Sequence, residues 1–432
     1  MIERVLSSEM SSYEGRAICL AGWVHRIRDF GGVRFIVLRD RGGLAQIVLP
    51  RSLDISDIGC ECVIRAEGKV HREPRAPTGW ELHAENIKCL SCAEPPPVEI
   101  FAPPAAVKHR LETLLDNRAV SLRIPEVLDV FRIQAEILRA FREFLTGQGF
   151  TEVKTPKLVK AGAEGGSAIF EVGYFDDVAY LAQSPQFYKQ IMVGSGLERV
   201  FEVGPVYRAE KSETSRHLTE YVSLDFEMGF VDSLQDVIEM HAALVRSIIQ
   251  AVNKNCQPIL QRRGEQLSEV GQIPQISFVE AKEILAKSFG KTGGLEGDLD
   301  TEGEVLIGQW AREQLDSEFI YVTGYSIAKR PAYTMADPSC PDRSRSFDLL
   351  YKGVEITTGG QRIHDYEQLV DSFKARRIDP AGCEGYLSVF RHGMCSHGGM
   401  GMGLERLTKQ MLDLANVREA CLFPRDRRRI TP

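Results

Sequence analysis

The chain has 432 residues, 43% of them hydrophobic and 26% charged, with 38 Gly, 20 Pro and a formal net charge of -7. Such proportions exclude collagen, coiled coil and wholesale disorder, and the length suggests two or three domains with room for at least one large core. No apolar run approaches the ~18 residues of a membrane span, and MIERVLSSEM carries Glu3 and Glu9 without an apolar signal region, so a cytoplasmic protein that enters no membrane is expected.

Residues 1–93 read as short alternating strands: RAICLAGWVHRI, VRFIVLRD, LAQIVLP, ECVIRAEGKV and WELHAENIKCL. About five strands in so short a stretch predict a small closed barrel of the OB type. This segment holds 13 Lys+Arg against 12 Asp+Glu, a net of +1 that leaves -8 for the remainder, so any nucleic acid contact is expected here. Cys89-x-x-Cys92, with Cys60 and Cys62 upstream, is spaced poorly for zinc and reads as small residues on strands. The ten cysteines as a whole read as reduced thiols.

Residues 94–124, with Pro95-Pro96-Pro97 and Pro103-Pro104, read as a hinge, and 125–432 as the main domain. From Pro125 the period becomes helical, with Val130, Ile133, Ile137, Leu138, Phe141, Phe144 and Leu145 on one face and a stop near Gly147. Gly149–Val153 then reads as a strand halted by Pro156. Strands follow at AYLAQS, RVFEVGPVYRAE, EYVSLDFEMGF, FIYVTGYS and FDLLYKGVEITTG, with helices near 232–253, 301–315, 365–376 and 403–414. Several strands are consecutive without a helix between them, which predicts an α+β fold with an antiparallel sheet.

Three segments carry chemistry. Phe201–Glu210 and Tyr221–Glu227 flank a charged loop with Arg208 at its mouth; an arginine there grips phosphate bidentately, although an exposed hairpin with surface ion pairs reads equally well in isolation. Gly398–Leu407 is a glycine-rich strand entering a helix with Arg406 in its first turn, which suits close approach of an anion. It is neither a phosphate-binding Lys-Ser/Thr loop nor a dinucleotide fingerprint. Gln183–Gln190 is a strand end turning into a helix at Pro185.

Together these segments resemble the class II aminoacyl-tRNA synthetases, and among them the archaeal-type aspartyl-tRNA synthetases. The helix and strand ending at Pro156 resemble motif 1, the Arg208 hairpin motif 2, and Gly401–Arg406 motif 3. The resemblance spans essentially the whole chain. It implies an N-terminal OB-fold anticodon barrel, a class II antiparallel catalytic sheet, a homodimer, and activation of L-aspartate by ATP with Mg²⁺. Arg208 and Arg406 are then the catalytic residues, on the α- and γ-phosphates. Ala209, Glu210, Arg216, His217, Leu218, Tyr221, Glu355, Gly403, Leu404 and Glu405 complete the ATP site, and Glu355 with Thr358 the metal site.

An aspartate side chain needs cations around it. Lys189 and Arg362 are expected to take the β-carboxylate, with Gln186, Phe187, Tyr188 and Thr358 alongside, and Arg208 shared with ATP; Glu164 and Asp225 suit the substrate's ammonium. An unbalanced positive pair argues against asparagine. In the barrel, Phe35, Gln46 and Glu81 are the candidate anticodon contacts. Strict relatives tend to carry Trp where this chain has His25 and Lys where it has Pro77, so charging of both tRNA(Asp) and tRNA(Asn) is expected. The competing readings are an enzyme restricted to tRNA(Asp), an asparaginyl enzyme, and a synthetase-like asparagine synthetase. The last lacks a barrel like 1–93, and a catalytically dead RNA-binding relative is expected to have lost Arg208 and Arg406.

Overall fold

A computed structural model describes residues 2–100, 109–160, 168–210 and 214–431. The chain divides into two compact units, Met1–Ile124 and Pro125–Pro432.

In the first unit β1 (Ala17–Asp29), β2 (Arg34–Asp40), β3 (Gly43–Leu49), β4 (Val63–Arg72) and β5 (Trp80–Ser91) close into a barrel in the order β1-β2-β3-β5-β4. The two-residue period sorts the side chains: Ile36, Leu38, Ala45, Ile47 and Leu49 are fully buried, whereas Phe35, Gln46 and Val48 face outward. Asp40 ties the β2–β3 turn. Its carboxylate accepts from the backbone N–H of Gly42 at 2.7 Å and from the Ser7 hydroxyl at 2.6 Å. Ser7 begins a short 3-10 helix, Ser7–Tyr13, whose Met10 is fully buried among the barrel's core residues.

The strands of the second unit begin, after helix Pro125–Gly147, with β6 (Thr151–Glu152), β7 (Leu158–Val159), β8 (Glu171–Tyr174) and β9 (Asp177–Leu181). β10 (Arg199–Tyr207), β11 (Glu220–Gly229), β12 (Gln275–Ser277) and β13 (Phe319–Thr323) follow. Then come β14 (Ala336–Asp337), β15 (Cys340–Ser344), β16 (Ser346–Tyr351), β17 (Val354–Arg362) and β18 (His397–Gly403). Among the described residues, eight strands form one sheet in the order β12-β13-β16-β17-β18-β11-β10-β6, parallel only at its two ends and antiparallel throughout the middle. The α+β expectation holds.

Three local readings differ from it. FDLLYKGVEITTG is a hairpin, not one strand: β16 and β17 meet at Lys352-Gly353, where both residues take positive φ (48° and 74°). The strand after the first long helix shrinks to Thr151–Glu152, and helices Phe278–Phe289 and Glu384–Arg391 appear where none was expected.

One face of the sheet is covered by helices Pro125–Gly147 and Leu234–Asn255. Ile133, Ile137 and Phe141 from the first, with Leu244, Ile248 and Val252 from the second, share a core with Phe201, Leu224, Phe226, Met400 and Met402. The alternation that sends Leu224 and Phe226 into this core turns Ser223 and Asp225 to the opposite face. On β18 it sends Met400 and Met402 inward and leaves Gly399, Gly401 and Gly403 opposite. That second face is therefore floored by backbone, and it carries the cleft.

Candidate active site

The cleft encloses about 360 Å³ and is lined from β11, β17 and β18, from the loop between β10 and β11, from the start of helix Leu404–Met411, and from the segments 183–186 and 329–334. Among the described residues, ten of its 27 lining residues are charged. Arg208 stands one residue beyond β10, its backbone N–H bonded to Thr219 O at 2.9 Å, so the hairpin closes beneath it. The guanidinium lies 5.7 Å from the centre of the Tyr221 ring and 3.8 Å from the Glu210 carboxylate. Glu210 also approaches His217 at 3.4 Å. Burial holds the His217 imidazole below its ordinary pKa, which favours its neutral form.

Arg216 reaches across to the helix Thr301–Leu315. It donates to Glu304 at 2.8 and 3.3 Å and to Thr301 at 3.1 Å, and Glu304 in turn accepts from the Glu355 backbone N–H at 3.1 Å. Burial first, and the Glu355 charge second, push Glu304 up to about 7. Arg406, at the head of its helix, bonds the Glu355 carbonyl at 3.1 Å and lies 3.7 Å from its carboxylate. Although burial opposes it, Arg406, the Thr358 hydroxyl at 2.9 Å, Arg330 and Arg208 hold Glu355 below the usual carboxylate range. Glu405 faces the same cleft, and burial drives it up to about 7 although the Val222 N–H donates to both its oxygens at 3.1 Å.

The other end of the cleft is lined by Asp225 and Arg362, two members of a buried charge quartet completed by Lys189 and Glu227. Lys189 is fully buried; its ammonium donates to Asp225 at 2.9 Å, Met400 O at 3.0 Å and Phe226 O at 3.3 Å, with Glu227 at 3.5 Å. Arg362 donates to Glu227 and Gly399 O, each at 3.0 Å, and reaches Gln186 at 3.4 Å. Arg362 and Lys189 keep Glu227 ionised, pulling it below its ordinary value against the effect of burial. Two cations thus face two carboxylates. The positive pair in the sequence is not unbalanced, and that argument against asparagine loses its premise. Among the described residues, two oxygens on cleft-lining side chains, Asp225 Oδ2 and Gln183 Oε1, are buried with no hydrogen-bond partner, and Asp225 carries the charge of the two.

Gln186, Arg208, Glu210, Arg216, His217, Leu218, Tyr221, Asp225, Glu355, Thr358, Arg362, Gly403, Glu405 and Arg406 all line the cleft. Phe187, Tyr188, Lys189, Ala209 and Leu404 do not. Phe187 stacks on Tyr386 at 4.0 Å in a separate apolar cluster, and Leu404 is part of the main core. Glu164 lies outside the described residues. Sequence reading missed Glu227, which the two-residue period places on the same face as Asp225, and Glu304. It also missed Arg330, which pairs bidentately with Asp348 at 2.7 and 3.2 Å beside the Tyr325 ring; no local pattern announces that pair.

In the barrel, Gln46 Nε2 donates to Glu81 at 2.8 Å, and Glu81 is 2.7 Å from His83. Phe35 packs edge-on against Phe30 at 6.0 Å. His25 Nδ1 is 3.2 Å from an Arg39 N–H, and burial with the Arg39 charge lowers its pKa to about 4. Arginine only donates, so Nδ1 accepts and the neutral ring carries its proton on Nε2. Pro77 is exposed between β4 and β5.

Residues 110–427 match the family of class II tRNA synthetases (D, K and N), and residues 18–90 the OB-fold nucleic acid binding domain. The chain belongs to the class II tRNA synthetases of this group. An aspartate–tRNA(Asp/Asn) ligase from Deinococcus radiodurans is 45% identical over 441 residues, covering 100% of this synthetase and 99% of the relative. An aspartate–tRNA(Asp) ligase from Pyrococcus abyssi is 40% identical over the full length of both chains. Among solved structures, asparaginyl-tRNA synthetase from Pyrococcus horikoshii with asparaginyl-adenylate superposes with a TM-score of 0.92 at 32% identity, covering 100% of each chain. The fold is thus shared across amino acid choices, while sequence identity is higher to the two aspartate ligases.

Proposed function

We propose that the chain joins L-aspartate to ATP as aspartyl-adenylate and transfers the aspartyl group to tRNA(Asp) and to tRNA(Asn). The observation that carries this reading is a single cleft holding phosphate-type arginines, Arg208 and Arg406, at one end and a buried amino-acid-type charge set at the other. Asp225 Oδ2, buried and unsatisfied, is the acceptor that a substrate ammonium supplies with donors. Arg362 holds the β-carboxylate from the cleft wall, while Lys189, beneath the floor, keeps Asp225 and Glu227 in place. Arg208 meets the charge that develops on the α-phosphate as the aspartate carboxylate attacks, and Arg406 steadies the departing pyrophosphate.

Glu355 and Thr358 fit a magnesium ion: both offer hard oxygen atoms, 2.9 Å apart, beside the arginines. No cluster of three metal-ligating side chains occurs among the described residues, so phosphate and water oxygens would complete the shell. Magnesium bound there would neutralise triphosphate charge. Glu355 is already held ionised for that task.

Relatives of both tRNA breadths match at similar identity, so breadth is argued from the barrel. The third anticodon letter is C in tRNA(Asp) and U in tRNA(Asn). A strict enzyme needs a group that favours the cytosine amino edge or excludes uracil. His25, with its proton on Nε2, offers a donor there, and Pro77 offers neither N–H nor charge, so neither excludes uracil. Aminoacylation of purified tRNA(Asp) and tRNA(Asn) with labelled aspartate tests this. Charging of the two should agree within ~10-fold, ~1.4 kcal/mol at most, and His25→Trp with Pro77→Lys should depress tRNA(Asn) selectively. Rejection of tRNA(Asn) by a thousandfold in the wild type would leave the restricted enzyme as the answer.

A further inference from the structure

Two thiols that aminoacylation does not use meet at the end of β5. Cys89 sits in the strand opposite Ile64 of β4, and Cys92 lies one residue beyond the strand's last position. Their Sγ atoms are 3.8 Å apart, both reduced; Cys92 is exposed and Cys89 half-buried. The three other thiols of the barrel unit are differently placed, Cys19 being buried in β1. Cys62 is buried, its sulfur accepting from the Gly59 N–H at 3.3 Å, and Cys60 stands on the preceding turn. No metal-binding cluster of three ligands forms here or elsewhere among the described residues.

We infer that Cys89 and Cys92 form a reversible dithiol–disulfide site whose co-reactant is a low-molecular-weight disulfide. The sulfurs are already in contact, and a bond of about 2.05 Å requires them to close the remaining gap, with the backbone adjusting at residue 92, outside the strand ladder, and at Leu90, which has no register partner on β4. The exposed Cys92 thiolate attacks one sulfur of the small disulfide, forming a mixed disulfide and releasing one small thiolate. Cys89 then attacks the Cys92 sulfur, the Cys89–Cys92 bond forms, and the second small thiolate leaves. The protein loses two electrons and two protons, and the small disulfide becomes two thiols. Burial and the neighbouring sulfur raise the Cys89 pKa, which disfavours it as the initiating thiolate. Glu81 lies eight residues back along β5, about 26 Å at ~3.3 Å per residue. Oxidation should therefore leave the Gln46–Glu81 pair, and adenylate formation in the second unit, unchanged.

The test incubates the full chain with oxidised glutathione, blocks remaining thiols by alkylation, and reads the peptide spanning 89–92 by mass spectrometry. The expected product lacks two hydrogens, carries no alkyl group, and reverts with dithiothreitol. Cys89→Ser should instead stop at a stable Cys92–glutathione adduct, and ATP–pyrophosphate exchange should be the same in oxidised and reduced wild type. A peptide that stays doubly alkylated, or a bond joining Cys62 to either sulfur, overturns the inference.

Discussion

Arg208 approaches the cleft from just beyond β10 and Arg406 from the first turn of helix Leu404–Met411, and both have Glu355 as an electrostatic neighbour. Both line the cleft, and on the proposed function each meets phosphate charge within a preformed wall, so removing either should remove a stabilising contact that water does not replace. Arg208→Ala and Arg406→Ala should each lower ATP–pyrophosphate exchange by at least ~100-fold. Near-normal exchange in one variant would take that residue out of its role. Glu405 gives a prediction of the opposite kind. Its folded pKa is raised to about 7, so the folded state binds a proton that the unfolded chain has released. The stability this proton contributes is complete below ~4.5 and is lost as pH rises through about 7. Glu405→Gln, which cannot ionise, should therefore gain on the wild type across that window, by on the order of 3 kcal/mol. Urea midpoints measured at several pH values read the difference, and a constant offset would show that Glu405 is not held protonated.

At the scale of the elements, β18 explains why its tract is glycine-rich. A Cβ on Gly399 would overlap Phe226 O and the Glu227 carboxylate, and one on Gly398 would press on Val237. The glycines let β18 lie against the charge quartet, and only Gly401 and Gly403 remain for the ligand cleft. Gly399→Ala should cost about 1–3 kcal/mol by overpacking and lower aspartate activation by at least ~10-fold through displaced charges, with ATP affinity less affected. Equal losses for aspartate and ATP would mean a general distortion of the sheet. Helix Pro125–Gly147 carries a second prediction. Its apolar face is spent on the core, and it leads into β6 and Pro156 as motif 1 does in the two-fold interfaces of the family. Light scattering at micromolar concentration should give about twice the 48.3 kDa chain mass. An active monomer would sever this helix from that role.

Across the whole molecule, what was legible in the sequence was whatever a short window contains. Strand alternation announced the barrel, a helical period announced Pro125–Gly147, and glycines followed by Arg406 announced β18. The β16–β17 hairpin escaped because Lys352-Gly353 lacks the Asn-Gly or Asp-Gly signature, although both residues adopt the positive φ that such a turn requires. Helix Phe278–Phe289 escaped although Ser277 and Glu280 form a capping box at its start. The quartet was out of reach for a different reason: it joins residues 186–189, 225–227 and 362, brought together only by the pairing of β11 with β18 and of β18 with β17. The two units also keep separate hydrophobic cores, one drawn from residues 5–89 and the other from 130–420. Selection can therefore act on the two kinds of choice one at a time. Substitutions at the proposed anticodon contacts His25, Phe35, Gln46, Pro77 and Glu81 fall in a unit whose core the cleft of the second unit does not share, so on the proposed function a lineage can widen or narrow its tRNA repertoire without re-evolving its amino acid.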